Sequence, residues 1–212
     1  MLLRNFAERY HEILSVDLKG LNLTRIEEFE DFYLKQIIDS IEPYKQSEVF
    51  QQKVAKVEKI IDVGFGGGFP LLPLANHLKE KTFVGLEARN KKCLAVNQIA
   101  EKLNLKNVKT HHQRLENIYI DEPIVMTLKA VGKVNDFLER VNTDQHVTVF
   151  FYKAKNFYNL EEEQLKKAKK NWEIIEDKQI KINNIDRYLI GFSNKNKVGN
   201  NFNNLVRLSE LN

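Results

Sequence analysis

Apolar residues recur with two different periods along the chain. Over the first 45 residues they return every three or four positions, which is the spacing of an amphipathic helix. From residue 57 onward, short apolar runs of strand length alternate with helical patterns, as is typical of a mostly parallel sheet covered by helices. The pattern predicts strands at 57–63, 82–87, 107–111, 123–128, 146–152, 172–182 and 186–192, and helices at 70–79, 90–103, 132–141 and 159–170.

The two ends of this pattern differ from its middle. The last two predicted strands have no helix between them, so we expect them to pair as a hairpin. Thr24 and Glu27 have the spacing of a capping box, which predicts that the second N-terminal helix begins there. The end of the sequence is rich in asparagine and lysine. We therefore predict a single domain over 1–192, with a helical N-terminal extension (1–45), a sheet core (57–192) and then a polar, flexible tail (193–212).

The composition fits one globular domain. The chain has 212 residues, of which 42% are hydrophobic and 29% charged, and its formal net charge is +4. This charge permits nucleic-acid binding without requiring it, because the sequence has no long basic run. No long apolar stretch predicts a membrane span or a secretion signal, and the single cysteine, Cys93, excludes internal disulfides. We therefore expect a cytoplasmic protein that acts as a monomer and does not engage a membrane.

The candidate chemistry centres on a glycine-rich stretch. An apolar strand leads into Asp62-Val63-Gly64-Phe65-Gly66-Gly67-Gly68-Phe69-Pro70. Glycines let the backbone turn sharply and approach a bulky ligand, and such loops bind nucleotides at strand ends in α/β sheets. A dinucleotide motif would place its third glycine at position 69, and a P-loop would continue with Lys-Ser or Lys-Thr. The spacing therefore favours the methyl donor S-adenosylmethionine, with dinucleotide binding and a purely structural turn as alternatives.

An acidic residue ends the next predicted strand. Glu87 follows the run Thr82-Phe83-Val84-Gly85-Leu86. In nucleotide-binding α/β units, a carboxylate at this place accepts hydrogen bonds from ribose hydroxyls. Because parallel strands end at the same edge of a sheet, Glu87 and the glycine loop are expected to meet one ligand. The alternative is an ordinary solvated carboxylate.

Metal and thiol chemistry are not expected from this sequence. His111 and His112 are adjacent on a predicted strand, so their side chains point to opposite faces of the sheet. Cys93 lies within an apolar helical stripe, away from both histidines. These residues therefore do not form a zinc site or present an activated thiol.

Other short motifs accompany the glycine loop. They are Asn22-Leu23-Thr24, Asp39-Ser40, Lys91-Lys92, Leu103-x-Leu105-x-Asn107-Val108 and Arg114-Leu115-Glu116. With the loop, over roughly residues 6–192, they resemble the bacterial small-subunit ribosomal RNA methyltransferase G family, also called glucose-inhibited division protein B. The resemblance implies a Rossmann-like S-adenosylmethionine-dependent methyltransferase fold with a seven-stranded sheet. It also implies methyl transfer to guanine N7 in 16S rRNA, with this RNA or the small ribosomal subunit as the partner.

The resemblance further implies roles for individual residues. Leu115 and Glu116 would flank the adenine of the donor. Lys129 would lie between the donor pocket and the incoming guanine as the catalytic residue, where the family has arginine. Gln36 replaces a histidine of the family, and Tyr152-Lys153-Ala154 replaces Leu-Lys-Gly, so the chain is expected to be a divergent member. The expected donor-binding residues are Asp62, Gly64, Gly66, Gly68, Phe69, Glu87, Leu115, Glu116 and Lys129.

Basic residues near the carboxyl edge of the sheet are candidates for contacts with RNA phosphates. They are Lys91, Lys92, Arg114, Lys153 and Lys155. Guanine N7 carries a lone pair and no proton, so its methylation needs alignment and charge stabilisation but no general base. An NAD(P)-dependent oxidoreductase and a non-catalytic ribosome-binding protein with a relic methyltransferase fold are the alternative functions.

Overall fold

The computed structural model describes residues 2–199 and 202–211, and the remaining four positions lie outside it. The strands are β1 (Lys59–Val63), β2 (Thr82–Glu87), β3 (Val108–His112), β4 (Ile118–Ile120), β5 (Ile124–Lys129), β6 (Asn142–Thr143), β7 (Val147–Ala154), β8 (Trp172–Ile182), β9 (Ile185–Asn194) and β10 (Val206–Arg207). Seven of them form one sheet in the order β3-β2-β1-β5-β7-β9-β8.

The main sheet is parallel except at β9. Strand β1 pairs in parallel with both β2 and β5, and β9 pairs antiparallel with both β7 and β8. The predicted mostly parallel seven-stranded sheet with a C-terminal hairpin is therefore confirmed. The strand order reverses direction between β1 and β5, and ligands of open α/β sheets bind at such a switch point, outside the carboxyl ends of the strands.

Helices cover both faces of the sheet. They are α1 (Leu3–Glu12), α2 (Phe29–Phe32), α3 (Asp39–Gln46), α4 (Glu48–Ala55), α5 (Leu71–His77), α6 (Asn90–Lys102), α7 (Val134–Leu138) and α8 (Phe157–Ala168). Neighbouring strand residues belong to opposite cores: Phe150 packs with the N-terminal helices, and Phe151 packs with the core on the other face. Within the described ranges, no helix combines the length and the apolar character needed to cross a membrane.

The N-terminal extension is helical, but its internal boundaries differ from the prediction. Helix α2 begins at Phe29. The capping-box prediction was therefore wrong: the Thr24 hydroxyl accepts a hydrogen bond from the Ile26 amide at 3.1 Å, which closes a turn before the helix. Helix α4 was not predicted, although Ser47 caps it by accepting a hydrogen bond from the Phe50 amide at 3.0 Å.

The end of the chain also differs from the predicted flexible tail. In the described part of the tail, Val198 bridges Thr143, and β10 pairs in parallel with β4. Strands β10, β4 and β6 form a second, three-stranded sheet whose members are too short to give a sequence period. Leu208 is fully buried. Apolar residues spaced along a polar segment thus anchor it to the core.

Candidate active site

The predicted site residues converge at the carboxyl edge of the central strands. Strand β1 ends at Val63, which pairs with Leu86, and the glycine loop follows it directly. Glu87 ends the neighbouring β2, and Lys129 ends β5 on the other side of β1. The parallel register therefore brings the glycine loop, Glu87 and Lys129 to one edge of the sheet, as the sequence predicted.

Two glycines of the loop face the open side. Gly64 and Gly66 are partly exposed and have φ values of +70° and +58°, a region that side chains with a Cβ rarely occupy. A Cβ at Gly66 would meet no atom nearer than Lys92 Nζ at 3.8 Å. A Cβ at Gly64 would lie 3.0 Å from Val131 Cγ1. The backbone at Gly66 thus borders free space that a ligand can occupy.

The next two glycines face the protein instead. A Cβ at Gly67 would lie 2.6 Å from the Leu23 carbonyl oxygen, and a Cβ at Gly68 would collide with the Tyr10 hydroxyl. Both glycines are buried. Close approach of the N-terminal extension, and not a ligand, therefore requires glycine at these two positions. This assigns Gly68 a different task from the predicted donor contact.

Glu87 is tied to the glycine loop through its carboxylate. Its Oε2 accepts a hydrogen bond from the Gly66 amide at 3.2 Å, and its Oε1 accepts one from the Arg89 amide at 3.0 Å. The residue is only 7% exposed. A carboxylate has about four lone-pair sites, so two remain for further donors such as ribose hydroxyls. This geometry joins the two residues that the sequence assigned to one ligand.

Asp62 lies beneath the loop rather than at its open side. Its Oδ1 accepts a hydrogen bond from the Thr127 hydroxyl at 2.9 Å, and its Oδ2 accepts one from the Leu71 amide at 3.1 Å. Burial raises the pKa of Asp62 to about 7, although both hydrogen bonds and the nearby Lys129 ammonium lower it. The prediction that Asp62 contacts the donor therefore needs correction, since its carboxylate joins β1 to β5 and to the start of α5.

This raised pKa predicts a pH-dependent stability. The folded state keeps the Asp62 proton up to about pH 7, whereas the unfolded chain releases it near 3.8. The contribution of this group to the free energy of unfolding is therefore complete below about pH 3.8 and is fully lost once the pH has risen through about 7. Between these values it falls by up to about 1.4 kcal/mol per pH unit. We expect urea unfolding of an Asp62→Asn variant to show a flatter profile than the unmodified chain between these pH values. Parallel profiles would mean that buried Asp62 stays ionised.

Lys129 bonds to the N-terminal helices. Its Nζ lies 2.9 Å from Asp39 Oδ2 and 3.3 Å from the Lys35 carbonyl oxygen, and only 10% of its side chain is exposed. Asp39 also pairs through Oδ1 with Arg187 Nε at 2.8 Å. Burial lowers the pKa of Lys129, and Asp39 opposes this effect. The structure thus differs from the predicted position facing the guanine, because a buried ammonium group needs its counter-ion.

Three other predicted donor contacts have distinct surroundings. The Phe69 ring stacks on Tyr10 with centroids 5.1 Å apart, so it packs in the core and does not line the open side. Leu115 is buried at the first position of a short 3-10 turn that follows β3. Glu116 is partly exposed beside it, with its carboxylate 3.9 Å from Arg114. Of these three residues, Leu115 and Glu116 keep a position at the sheet edge where an adenine ring is expected, and Phe69 does not.

The family model described as rRNA small subunit methyltransferase G (GidB) matches residues 4–190. The chain belongs to this family. The resemblance inferred from the short motifs is thereby confirmed.

The alignment of this chain with curated members of the methyltransferase G family covers only part of their length. The protein named ribosomal RNA small subunit methyltransferase G of Clostridium perfringens (strain 13) is 38% identical over 108 residues, which are 51% of this chain and 43% of that protein. The one from Mycoplasma capricolum is 30% identical over 139 residues, or 65% of this chain and 58% of that protein. The chain thus spans about half the length of the curated relatives that it matches.

Solved structures support the fold. A crystal structure of an S-adenosylmethionine-dependent methyltransferase from Aquifex aeolicus superposes with a TM-score of 0.50 at 15% identity, covering 74% of this chain and 90% of that chain. A mutant of MtNAS superposes with a TM-score of 0.58 at 11% identity, covering 93% of this chain and 71% of that one. At these identities the likeness concerns the fold alone, which is the predicted Rossmann-like methyltransferase architecture.

The basic residues predicted to contact RNA in this family member fall into two groups. Lys91, Arg114 and Lys155 are exposed, and Lys92 is partly exposed beside Gly66. Lys153 is buried: its Nζ lies 2.7 Å from Glu161 Oε1 and donates a hydrogen bond to the Gly132 carbonyl at 2.9 Å. Its assignment to RNA is therefore corrected, because a buried ammonium that is already paired does not reach a phosphate.

The structure adds residues that the sequence did not single out for the site. In the sequence, Thr127 is an ordinary strand residue and Tyr10 is one residue of an apolar helical stripe. Neither carries a sequence signal that would assign it to the site. Asp39 and Leu23 belonged to motifs of the family resemblance, but their roles were not predicted. Asp39 holds Lys129, and the Leu23 carbonyl covers Gly67. The N-terminal extension is therefore part of the site.

Proposed function

We propose that the chain transfers the methyl group of S-adenosylmethionine to N7 of a guanine in 16S rRNA of the small ribosomal subunit. The observation that carries this proposal is the link between Gly66 and Glu87 at the open edge of the sheet. The Gly66 amide donates to Glu87 Oε2 at 3.2 Å, and a Cβ at Gly66 would have free space around it. Membership of the methyltransferase G family supports the same function.

The residues at this edge suit the parts of the donor. Glu87 has unused acceptor sites for the ribose hydroxyls. Leu115 and Glu116, after β3, would flank the adenine, and the open backbone of Gly64 and Gly66 would run along the methionine part. The donor supplies an electrophilic methyl group on a sulfonium. The chain's own contribution is to bind and orient it.

Guanine N7 is a target that fits the side chains present. The N7 lone pair forms the new bond to carbon as the carbon–sulfur bond breaks, and no proton leaves the purine. Positive charge passes to the base, so the reaction requires alignment but no general base. Asp62 and Glu87 both accept hydrogen bonds from backbone amides, which suits structural and binding tasks better than proton transfer.

The RNA would approach over the exposed basic residues. Lys92 lies beside the free space at Gly66, and Lys91 precedes it on the first turn of α6. The Arg114 side chain is 61% exposed and that of Lys155 is 79% exposed. Each phosphate that such cations neutralise adds salt-dependent affinity. These four residues are the proposed RNA contacts.

Methyl transfer to small ribosomal subunits tests the proposal. The protein would be incubated with methyl-labelled S-adenosylmethionine and subunits from a strain that lacks the modification, with modified subunits as the control. We expect label in the 16S rRNA of unmodified subunits alone, at a guanine whose strand becomes cleavable after borohydride and aniline. Labelling at another base, or none, would contradict the proposal. Thermal stabilisation by NADH instead of the methyl donor would favour an oxidoreductase.

Glu87→Ala is expected to weaken donor affinity by about 1.5–3 kcal/mol, the range for hydrogen bonds to a charged group. Calorimetric titration with S-adenosylmethionine measures this effect. The control is Glu80→Ala, because Glu80 is exposed and lies outside the site. RNA affinity without donor should change little in either variant. An equal loss of RNA and donor affinity would show that Glu87 mainly supports the fold through Gly66 and Arg89.

A further inference from the structure

Tyr10 on helix α1 contacts the glycine loop from the side opposite its open face. Its hydroxyl donates a hydrogen bond to the Gly67 carbonyl oxygen at 2.5 Å. The ring stacks on Phe69 at an angle of 18°, and its edges meet Phe6 and Phe32 with centroids 5.7 Å away in each case. The side chain is fully buried. Aromatic contacts on several sides thus fix the position of the hydroxyl.

The Gly67 carbonyl needs this donor because of how α5 begins. In a regular helix the carbonyl would accept from the amide four residues later, which is Leu71. The Leu71 amide instead donates to Asp62 Oδ2 at 3.1 Å. Two side-chain hydrogen bonds therefore replace this helical bond: Asp62 accepts from the Leu71 amide, and Tyr10 donates to the Gly67 carbonyl. A buried carbonyl without a donor would be costly, so the two side chains act as a pair.

Glycine at position 68 is matched to the same hydroxyl. A Cβ on Gly68 would collide with the Tyr10 hydroxyl and lie 3.1 Å from Leu72 side-chain atoms. Gly66, which borders the free space, precedes the anchored Gly67 directly in the chain. The bond from Tyr10 thus fixes the peptide immediately beside the ligand face of the loop.

We propose that Tyr10 is a positioning residue for methyl-donor binding, which acts through the Gly67 carbonyl to keep the backbone of Gly64 and Gly66 open to the donor. This inference rests on the proposed function, because it concerns the same donor site. It assigns the N-terminal extension a part in donor binding, in addition to its packing against the sheet.

Calorimetric titration with S-adenosylmethionine tests the inference in a Tyr10→Phe variant, which keeps the ring and removes the hydroxyl. We expect donor affinity to fall roughly 3- to 10-fold, from the loss of a buried hydrogen bond. Tyr152→Phe is the matched control, because the Tyr152 hydroxyl is also buried and donates to a backbone carbonyl, that of Ser40, at 3.2 Å. Both variants should lose similar stability to urea, but only Tyr10→Phe should bind the donor more weakly.

A double-mutant cycle in urea unfolding provides a second measurement. Gly68→Ala should reduce the folding equilibrium constant less in the Tyr10→Phe background than in the unmodified chain, because its methyl group no longer meets a hydroxyl. Additive effects, or unchanged donor affinity in Tyr10→Phe while the unmodified protein binds the donor, would overturn the inference. Failure of the unmodified protein to bind the donor would overturn the proposed function, and this inference with it.

Discussion

Asp39→Ala is expected to lower the free energy of unfolding by about 3–5 kcal/mol, because it leaves buried positive charge without a counter-ion. Asp39 is 2% exposed and pairs with Lys129 Nζ at 2.9 Å and with Arg187 Nε at 2.8 Å. Removing the carboxylate leaves Lys129 without its counter-ion, and the Lys129 side chain has almost no access to water. Urea unfolding at neutral pH measures the loss.

Asp31→Ala is the matched control for this prediction. Asp31 lies in the same part of the extension and pairs with Lys35 at 2.8 Å, but both side chains are about half exposed. Exposed pairs of this kind contribute about 0–1 kcal/mol. Comparable losses in the two variants would contradict the view that burial of Lys129 sets the cost. In that case the Asp39–Lys129 pair would stabilise the fold no more than an exposed ion pair does.

The sequence predicted the elements of the main sheet well because their signals are local. Strand β1 and the glycine loop are neighbours in the chain, and the parallel register then places Glu87 beside them without further information. Boundary signals were weaker. Thr24 had the right spacing for a capping box, yet its hydroxyl accepts from the Ile26 amide in a turn that precedes α2. A short polar motif can form either a turn or a helix cap, and tertiary packing determines which of the two forms.

Side-chain roles in the site were less predictable because they depend on partners far away in the sequence. Lys129 and Lys153 both have the sequence pattern of cations at strand ends, but the fold gives each a carboxylate partner, Asp39 and Glu161 respectively. Tyr10 fits the apolar period of α1. Its hydroxyl reaches the Gly67 carbonyl only because the fold packs α1 against the glycine loop. Composition and spacing contain no signal for such long-range pairs.

The glycine motif therefore serves two surfaces at once. Gly64 and Gly66 border the open edge, whereas Gly67 and Gly68 admit the Leu23 carbonyl and the Tyr10 hydroxyl. From sequence alone, Gly64, Gly66 and Gly68 were all candidates for ligand contact. The structure separates them by what a Cβ would meet at each one. This separation predicts different consequences for substitutions at neighbouring positions.

Gly66→Val is expected to weaken S-adenosylmethionine binding more than roughly 100-fold, or about 2.7 kcal/mol, while the protein stays folded. The branched side chain would fill the free space bordering Gly66, where no protein atom lies within 3.8 Å of a Cβ. The positive φ of +58° adds a backbone strain of about 1–2 kcal/mol, which lowers stability but does not by itself block a ligand. Calorimetric titration and urea unfolding measure the two effects separately.

Asn104→Val separates backbone strain from blocked space. Asn104 has a φ of +57°, nearly that of Gly66, and it lies past the end of α6, away from the carboxyl edge. We expect this variant to lose similar stability and to bind the donor as the unmodified chain does. If Gly66→Val bound the donor normally, the free space beside Gly66 would not be the donor site. If Asn104→Val weakened binding as much as Gly66→Val, strain transmitted through the fold would explain the loss, and the assignment of Gly66 to the donor would fail.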